Sequence, residues 1–300
     1  MSKLVNGPIS FKAMAMSIMA LVAFAGNSVL CRIALSDGAI HPASFTSIRL
    51  VSGAIVLMAL VLLSNAGKQE AGNYINKGWA APTILFIYAA LFSFAYITLD
   101  TGVGALILFG AVQITMVAVS LIRGAKLSWL EWFGLLMACA GLLYLVFPEL
   151  SKPSLSGFLM MSGAGVAWGL YTVLGQGSQN PLADTASNFI KTVPLSVILL
   201  MLFSSQWLAT DFSDRLVVTA WLFAILSGAV TSGVGYAIWY AALRYLKSNQ
   251  AGVMQLLVPI IAAIGGVIFA GELLTYRLIF ASALVLGGIL IVISAKQKIA

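Results

Sequence analysis

The chain has 300 residues, of which 61% are hydrophobic and only 8% charged, with a mean hydropathy of +1.03. This composition excludes a water-soluble globule, whose polar shell needs about a quarter charged residues, and makes the lipid bilayer the solvent of the outer surface. The net charge of +7 is accounted for by basic connections on one side of a membrane rather than by a nucleic-acid partner.

A helix needs about 20 apolar residues to cross about 30 Å of hydrocarbon. Cutting the chain at polar or Gly/Pro-bearing breaks gives ten such runs, at residues 12–35, 43–63, 80–98, 103–122, 129–147, 156–176, 188–207, 218–242, 251–269 and 277–294. The first run follows Lys3 and Lys12 and ends in Ala23-Phe24-Ala25-Gly26, a pattern that a cleaved signal peptide also shows. Removing it would leave nine runs and unbalance the two halves described below, so it is read as a span. The longest connection, residues 64–78, reads as a loop or interfacial turn. Cys31 and Cys139 lie inside apolar runs without partner spacing, so no disulfide, metal or cofactor is expected. The sole histidine, His41, stands beside Pro42 in a turn, and there is no H-E-x-x-H or carboxylate pair. A membrane-embedded enzyme therefore has no visible constellation.

Orientation follows from the basic residues. With the N-terminus inside, Lys3, Lys12, Lys68, Lys77, Arg123, Lys126, Arg244, Lys247, Lys296 and Lys298 fall at inner ends, against Lys152, Arg215 and Arg277 outside. Both termini are expected in the cytoplasm, in a multi-pass protein of the inner membrane.

The chain also repeats itself. Ala105 to Leu127 lies over Ala251 to Leu273 at an offset of 146, holding through Gly141 and Gly287, while Ala23 to Leu30 lies over Ala167 to Leu174 at an offset of 144. Residues 1–150 and 151–300 are thus two repeats of five spans each. An odd number of spans inverts the second repeat, the arrangement of many alternating-access carriers. Lys126 at an inner end and its counterpart Glu272 at an outer end fit that inversion.

The small/aromatic motif of the first helix in each half (Phe24-Ala25-Gly26-Asn27 and Ala167-Trp168-Gly169-Leu170-Tyr171), Pro42 and Arg49 in the second helix, and the spacing from Pro259 to Gly271-Glu272 to Gly287 resemble the EamA-type carriers of the drug/metabolite transporter superfamily. The resemblance covers essentially the whole chain. It implies an all-α integral membrane protein of ten transmembrane helices, built as two inverted five-helix repeats around a central cavity. It also implies export of an amino acid, drug or other metabolite. The first half departs from the pattern, with Gln113 where proline is common and Lys126 where Glu is common, so a role of Pro259 or Glu272 is not duplicated there.

Polar groups forced to the bilayer midplane nominate the site, because an unpaired amide in hydrocarbon costs several kcal/mol and a cavity relieves it. Asn27, Gln113 and Gln255 are the hydrogen-bonding candidates and Trp168 and Tyr171 the aromatic ones; the third and eighth spans add Tyr88, Tyr96, Thr231, Tyr236 and Tyr240. The same groups could instead tie helices together. Gly163, Gly165 and Gly169, and the series Ser227, Thr231, Gly235, read as close-packing positions. Pro259 leaves the carbonyl near Gln255 without its helical partner, which permits a bend and makes it the gating candidate. Arg49 and Lys191 could each meet a substrate carboxylate, snorkel to an interface or form a structural ion pair. Asp100, Glu131 and Glu272 all lie near span ends; Glu272 is the candidate for proton coupling. The expected function is alternating-access export of a small amphipathic metabolite such as an amino acid, by a monomer or homodimer. A passive facilitator or channel is the alternative.

Overall fold

The computed structural model describes residues 11–64, 78–124, 126–146, 155–175, 178–208, 213–243, 245–246 and 248–295. Much of the 64–78 connection, and Lys3, Lys68, Lys77, Lys152, Arg244, Lys247, Lys296 and Lys298 of the orientation pattern, lie outside them.

The described residues form helices and no strands. These are α1 (Phe11–Ser36), α2 (Pro42–Leu63), α3 (Ala80–Ala95), α4 (Thr101–Ile122), α5 (Trp129–Val146), α6 (Leu155–Gly175), α7 (Pro181–Leu202) and the short α8 (Ser204–Leu208). Then come α9 (Arg215–Leu226), a π-helical segment (Ser227–Val234), α10 (Gly235–Leu243), α11 (Ser248–Gln255), α12 (Leu257–Ala270) and α13 (Tyr276–Ala295). In hydrocarbon every backbone N–H and C=O must be paired within the segment, and a long apolar sequence satisfies this only as a helix. Among the described residues eight helices are long and apolar enough to cross a membrane, and Ala80–Ala95 and Trp129–Leu145 are shorter apolar helices. The protein is an all-α, multi-pass membrane protein.

Local chemistry sets the ends. His41 accepts from the Ala43 amide at the start of α2, and Asn180 accepts from the Ala183 amide at the start of α7. Ser128 and Glu131 form a reciprocal capping box on α5. Gly271, at φ 66°, ends α12 in the left-handed conformation that glycine tolerates best. The seventh helix begins at Pro181, not at 188; the Asn180 cap and a proline at the first helical position are the reason.

Helices of the first half pack on helices of the second. α5 lies on α13, α2 on α7 and α4 on α12; α3 and α4 both pack on α6, while α1 packs on the α9–α10 unit and on α12. Close approach comes from small residues. Gly134 and Gly288 face each other's backbone across α5 and α13, and Gly228 of the π segment lies on the Arg49 carbonyl and the Ser52 hydroxyl of α2.

Candidate functional site

A narrow cavity lies where α1, α3, α4, α6 and the second-half helices meet. Its lining consists of Phe24, Asn27 and Ser28 from α1, Tyr88 and Phe92 from α3, and Leu108 and Phe109 from α4. Trp168 of α6, Thr231 and Ser232 of the π segment, Tyr236 of α10 and Gln255 of α11 complete it. The walls bound about 430 Å³ of empty space, open solvent at the mouth included.

One wall is aromatic. Trp168 stacks on Tyr236 (5.4 Å between centroids, 18° between planes) and on Tyr171 (5.5 Å, 29°), and meets Tyr88 at 4.8 Å. Phe24 closes on Tyr236 at 5.6 Å. Offset and tilted ring pairs at these spacings hold each other's orientation and leave a polarisable face for a solute.

The opposite chemistry comes from amides and hydroxyls. Asn27 is buried, and its Oδ1 accepts from Ser227 Oγ at 2.6 Å and from Thr231 Oγ1 at 3.4 Å. Among the described residues nothing accepts from Asn27 Nδ2, and the Gln255 side chain makes no hydrogen bond, so both keep free polar atoms at the cavity. The π segment brings these groups in: its wider turn carries Ser227, Thr231 and Ser232 against α1 and α2, and π turns inside helices recur at functional sites. The Ser227–Thr231–Gly235 series thus does more than pack, since its hydroxyls hold Asn27.

Behind this wall lies Arg49, 1% exposed. Nη2 donates to the Tyr88 hydroxyl at 3.1 Å and Nε to Ser232 Oγ at 3.4 Å. The guanidinium stands 4.9 Å from the Phe92 centroid and 5.3 Å from that of Tyr88. Nη1 is buried without a hydrogen-bond partner, and among the described residues no carboxylate pairs with Arg49. Buried at 1% exposure, the side chain does not snorkel, and among the described residues it forms no ion pair. Lys191 is part-buried in α7.

The remaining expected residues fall elsewhere. Tyr171 sits behind Trp168, its hydroxyl accepting from Asn188 Nδ2 at 3.1 Å. The Tyr240 hydroxyl accepts from Thr185 Oγ1 at 3.3 Å, outside the lining. Tyr96 is fully buried beyond the end of α3 and donates to the Thr101 carbonyl at 3.3 Å. Gln113 is part-buried and absent from the lining: α4 reaches the cavity through Leu108 and Phe109, and Gln113 lies one turn further along. Pro259 is the third residue of α12, and the ninth span breaks at Leu256, just after Gln255, whose carbonyl the proline leaves without a helical donor. Glu272 lies at one end of the bundle, where its carboxylate accepts from the Thr101 amide at 2.9 Å and from Arg32 Nε at 3.4 Å. Phe24, Phe92, Leu108, Phe109 and Ser232 line the cavity but lie outside the expected site residues. Phe92 follows Tyr88 by one helical turn, and Phe109 is the counterpart of Gln255 at the 146 offset.

Residues 155–294 match the model of the EamA-like transporter family. An uncharacterized protein of Pseudomonas aeruginosa is 44% identical over 285 residues, covering 95% of this chain and 96% of that protein. A probable amino-acid metabolite efflux pump of Salmonella typhimurium is 22% identical over 212 residues, 68% of this chain and 71% of the pump. A protein solved by crystallography superposes with a TM-score of 0.63 at 18% identity, covering 93% of this chain and 96% of that one.

Proposed function

Because the chain belongs to the EamA-like transporter family, we propose that it is a secondary carrier, an exporter of a small amphipathic metabolite such as an amino acid, working by alternating access around the cavity between Asn27, Trp168 and Gln255. In this reading ten spans form two inverted repeats, residues 1–150 and 151–300, in the inner membrane with both termini in the cytoplasm.

One observation carries it. Phe24 and Trp168, Tyr88 and Ser232, and Phe92 and Tyr236 are each 144 positions apart, and Phe109 and Gln255 are 146 apart. Eight of the twelve lining residues are therefore equivalent pairs, one from each half. A cavity built from equivalent positions of two oppositely oriented repeats has two structurally similar ways to open, which alternating access requires. The helix pairings point the same way: α5 meets its equivalent α13, α2 meets α7 and α4 meets α12.

The aromatic wall and the free amides of Asn27 and Gln255 suit a solute with an apolar body and a polar end. The break after Gln255, with Pro259 below it, supplies a hinge at the cavity itself, and Glu272 is the proton-coupling residue in this scheme. Proteoliposomes loaded with a metabolite mixture test the reading. It expects saturable efflux of at least one solute, altered by a pH gradient. Flux that never saturates would indicate a passive facilitator, and absence of flux for every solute would sink the carrier.

A further inference from the structure

Arg49 carries an inference that rests on the carrier reading and narrows its substrate class. The guanidinium is charged at every physiological pH. It is 1% exposed, and its two side-chain hydrogen bonds go to neutral hydroxyls, those of Tyr88 and Ser232. Ring faces at 4.9 and 5.3 Å add a weak attraction. None of these neutralises the charge, and among the described residues Nη1 has no partner. A buried charge of this kind is costly unless something compensates it, and a planar guanidinium is the side chain best shaped to receive a carboxylate in a fork.

The compensating group has one evident place to come from. Tyr88, Phe92 and Ser232, all in contact with Arg49, are themselves cavity wall. No Asp or Glu is among the lining residues, so the field inside the cavity is positive, and a cationic solute would be repelled by Arg49 with no counter-charge to hold it. Asn27 Nδ2 and Gln255 offer further donors to an anionic end, while Trp168 and Tyr236 face its body.

We propose that the cavity selects solutes bearing a carboxylate on an apolar or aromatic body, that Arg49 reads the carboxylate, and that organic amines lacking one are rejected.

The test uses matched acid, amide and amine triplets on benzyl, indolyl and branched-alkyl bodies, with inorganic phosphate and chloride alongside. Binding is read by thermal shift of the full-length protein in nanodiscs, and transport by counterflow in proteoliposomes. The acids should bind at least about tenfold tighter than their amides in at least one triplet, about 1.4 kcal/mol, with no measurable binding of the amines. Arg49→Gln should erase the preference for acid over amide, and Tyr88→Phe, which removes the hydroxyl that holds Nη2 in orientation, should reduce it. Phosphate or chloride competing as well as the acids would overturn the carboxylate assignment in favour of a general anion site. Equal binding of acid and amide, or tightest binding of an amine, would overturn it outright, as would an acid preference that survives Arg49→Gln. Should Arg49→Gln fail to fold, the wild-type ranking and Tyr88→Phe decide. A carrier that moves other solutes saturably yet shows no acid preference refutes this inference alone, whereas no saturable flux of any solute refutes the carrier reading beneath it.

Discussion

Arg32 of α1 meets Glu272, 240 positions away in sequence, at 3.4 Å. The same guanidinium reaches the carbonyl of Tyr96 at 3.1 Å, that of Ile97 at 3.3 Å and Asp100 Oδ1 at 3.4 Å. Glu272 in turn accepts from both the amide and the hydroxyl of Thr101 at 2.9 Å. Asp100 occupies the N-cap position of α4 but makes no capping bond; the distant Glu272 carboxylate serves that helix N-terminus, where a negative charge is favourable. The end of α3, the start of α4, the C-terminal part of α1 and the turn after α12 are thereby tied together at one end of the bundle, one turn beyond the cavity residue Ser28.

The alternating-access cycle proposed above requires that tie to open. Glu272→Gln keeps an acceptor for Thr101 but removes the charge facing Arg32, and charge-assisted bonds of this type contribute about 1.5–3 kcal/mol. The substitution should shift the population toward a state open at this end. Cys31, fully buried beside Arg32, is a built-in reporter. In a Cys139→Ala background, an impermeant maleimide should label Cys31 several-fold faster in Glu272→Gln than in its parent. An unchanged rate would mean that the tie is not a gate.

Asn27 and Ser227 give a second expectation. Ser227 Oγ donates to Asn27 Oδ1 at 2.6 Å, whereas Thr231 Oγ1 keeps its 2.7 Å bond to the Ser227 carbonyl, so Asn27→Ala strands one buried hydroxyl, that of Ser227, at a cost of about 1–3 kcal/mol. A double-mutant cycle with Ser227→Ala, read by thermal unfolding in one detergent, should show coupling of about 1 kcal/mol or more, because the pair is lost together. Additive effects would argue that the 2.6 Å contact contributes little. Trp168→Ala should abolish transport with a larger loss of stability, about 3–5 kcal/mol, since that ring stacks on Tyr236 and Tyr171.

The helices were legible in the sequence because lipid imposes one solution on an apolar run. Faces were not. In water a helix shows its buried side by polarity, but here each helix is apolar nearly all round; depth was hidden too, because Phe109 and Gln113 share one face and nothing in the run says at which turn the cavity lies. Gln255 carries the same side chain at the counterpart of Phe109 and does line the cavity. The π segment was equally hidden, because a run of Ser, Gly and Thr reads as close packing; its contacts with α1 and α2 belong to the assembled bundle. Arg49 was visible as a charge inside a span, but its lack of a carboxylate partner is a property of the assembled bundle. The Arg32–Glu272 tie joins segments that no local pattern connects.

His41 sets a pH dependence outside the membrane-spanning segments. Its Nδ1 accepts from the Ala43 amide at 3.2 Å, which requires the neutral ring, and the ring lies against Phe203 at 4.7 Å. Burial lowers its pKa below the ordinary 6.5. The unfolded chain therefore binds the proton more readily than the fold does, so this contribution to stability is complete above 6.5 and declines as pH falls through that value toward the lower folded pKa. Thermal unfolding between pH 7.5 and 5.5 should show a falling midpoint in the wild type. His41→Asn, a capping residue that does not titrate, should flatten that part of the slope. An identical slope would assign the acid sensitivity to other groups.

Gly228 offers the sharpest test of how the cavity wall is held. A Cβ there would collide with the Arg49 carbonyl and the Ser52 hydroxyl, and on the facing helix a Cβ on Gly53 would crowd Phe189 and the Gly228 carbonyl at 3.2 Å. Because the obstruction is α2 backbone and not a flexible side-chain tip, Gly228→Ala must push the π segment and α2 apart, at a cost typical of overpacking, about 1–3 kcal/mol. Moving that segment also displaces Ser232 from Arg49 and Ser227 from Asn27, so transport should fall further than stability alone explains. Gly175, with open space where its Cβ would stand, is the control: Gly175→Ala should be neutral or slightly stabilising. Thermal unfolding and counterflow on both variants separate the outcomes. If Gly228→Ala transports normally, the close contact between α2 and the π segment does not position the wall.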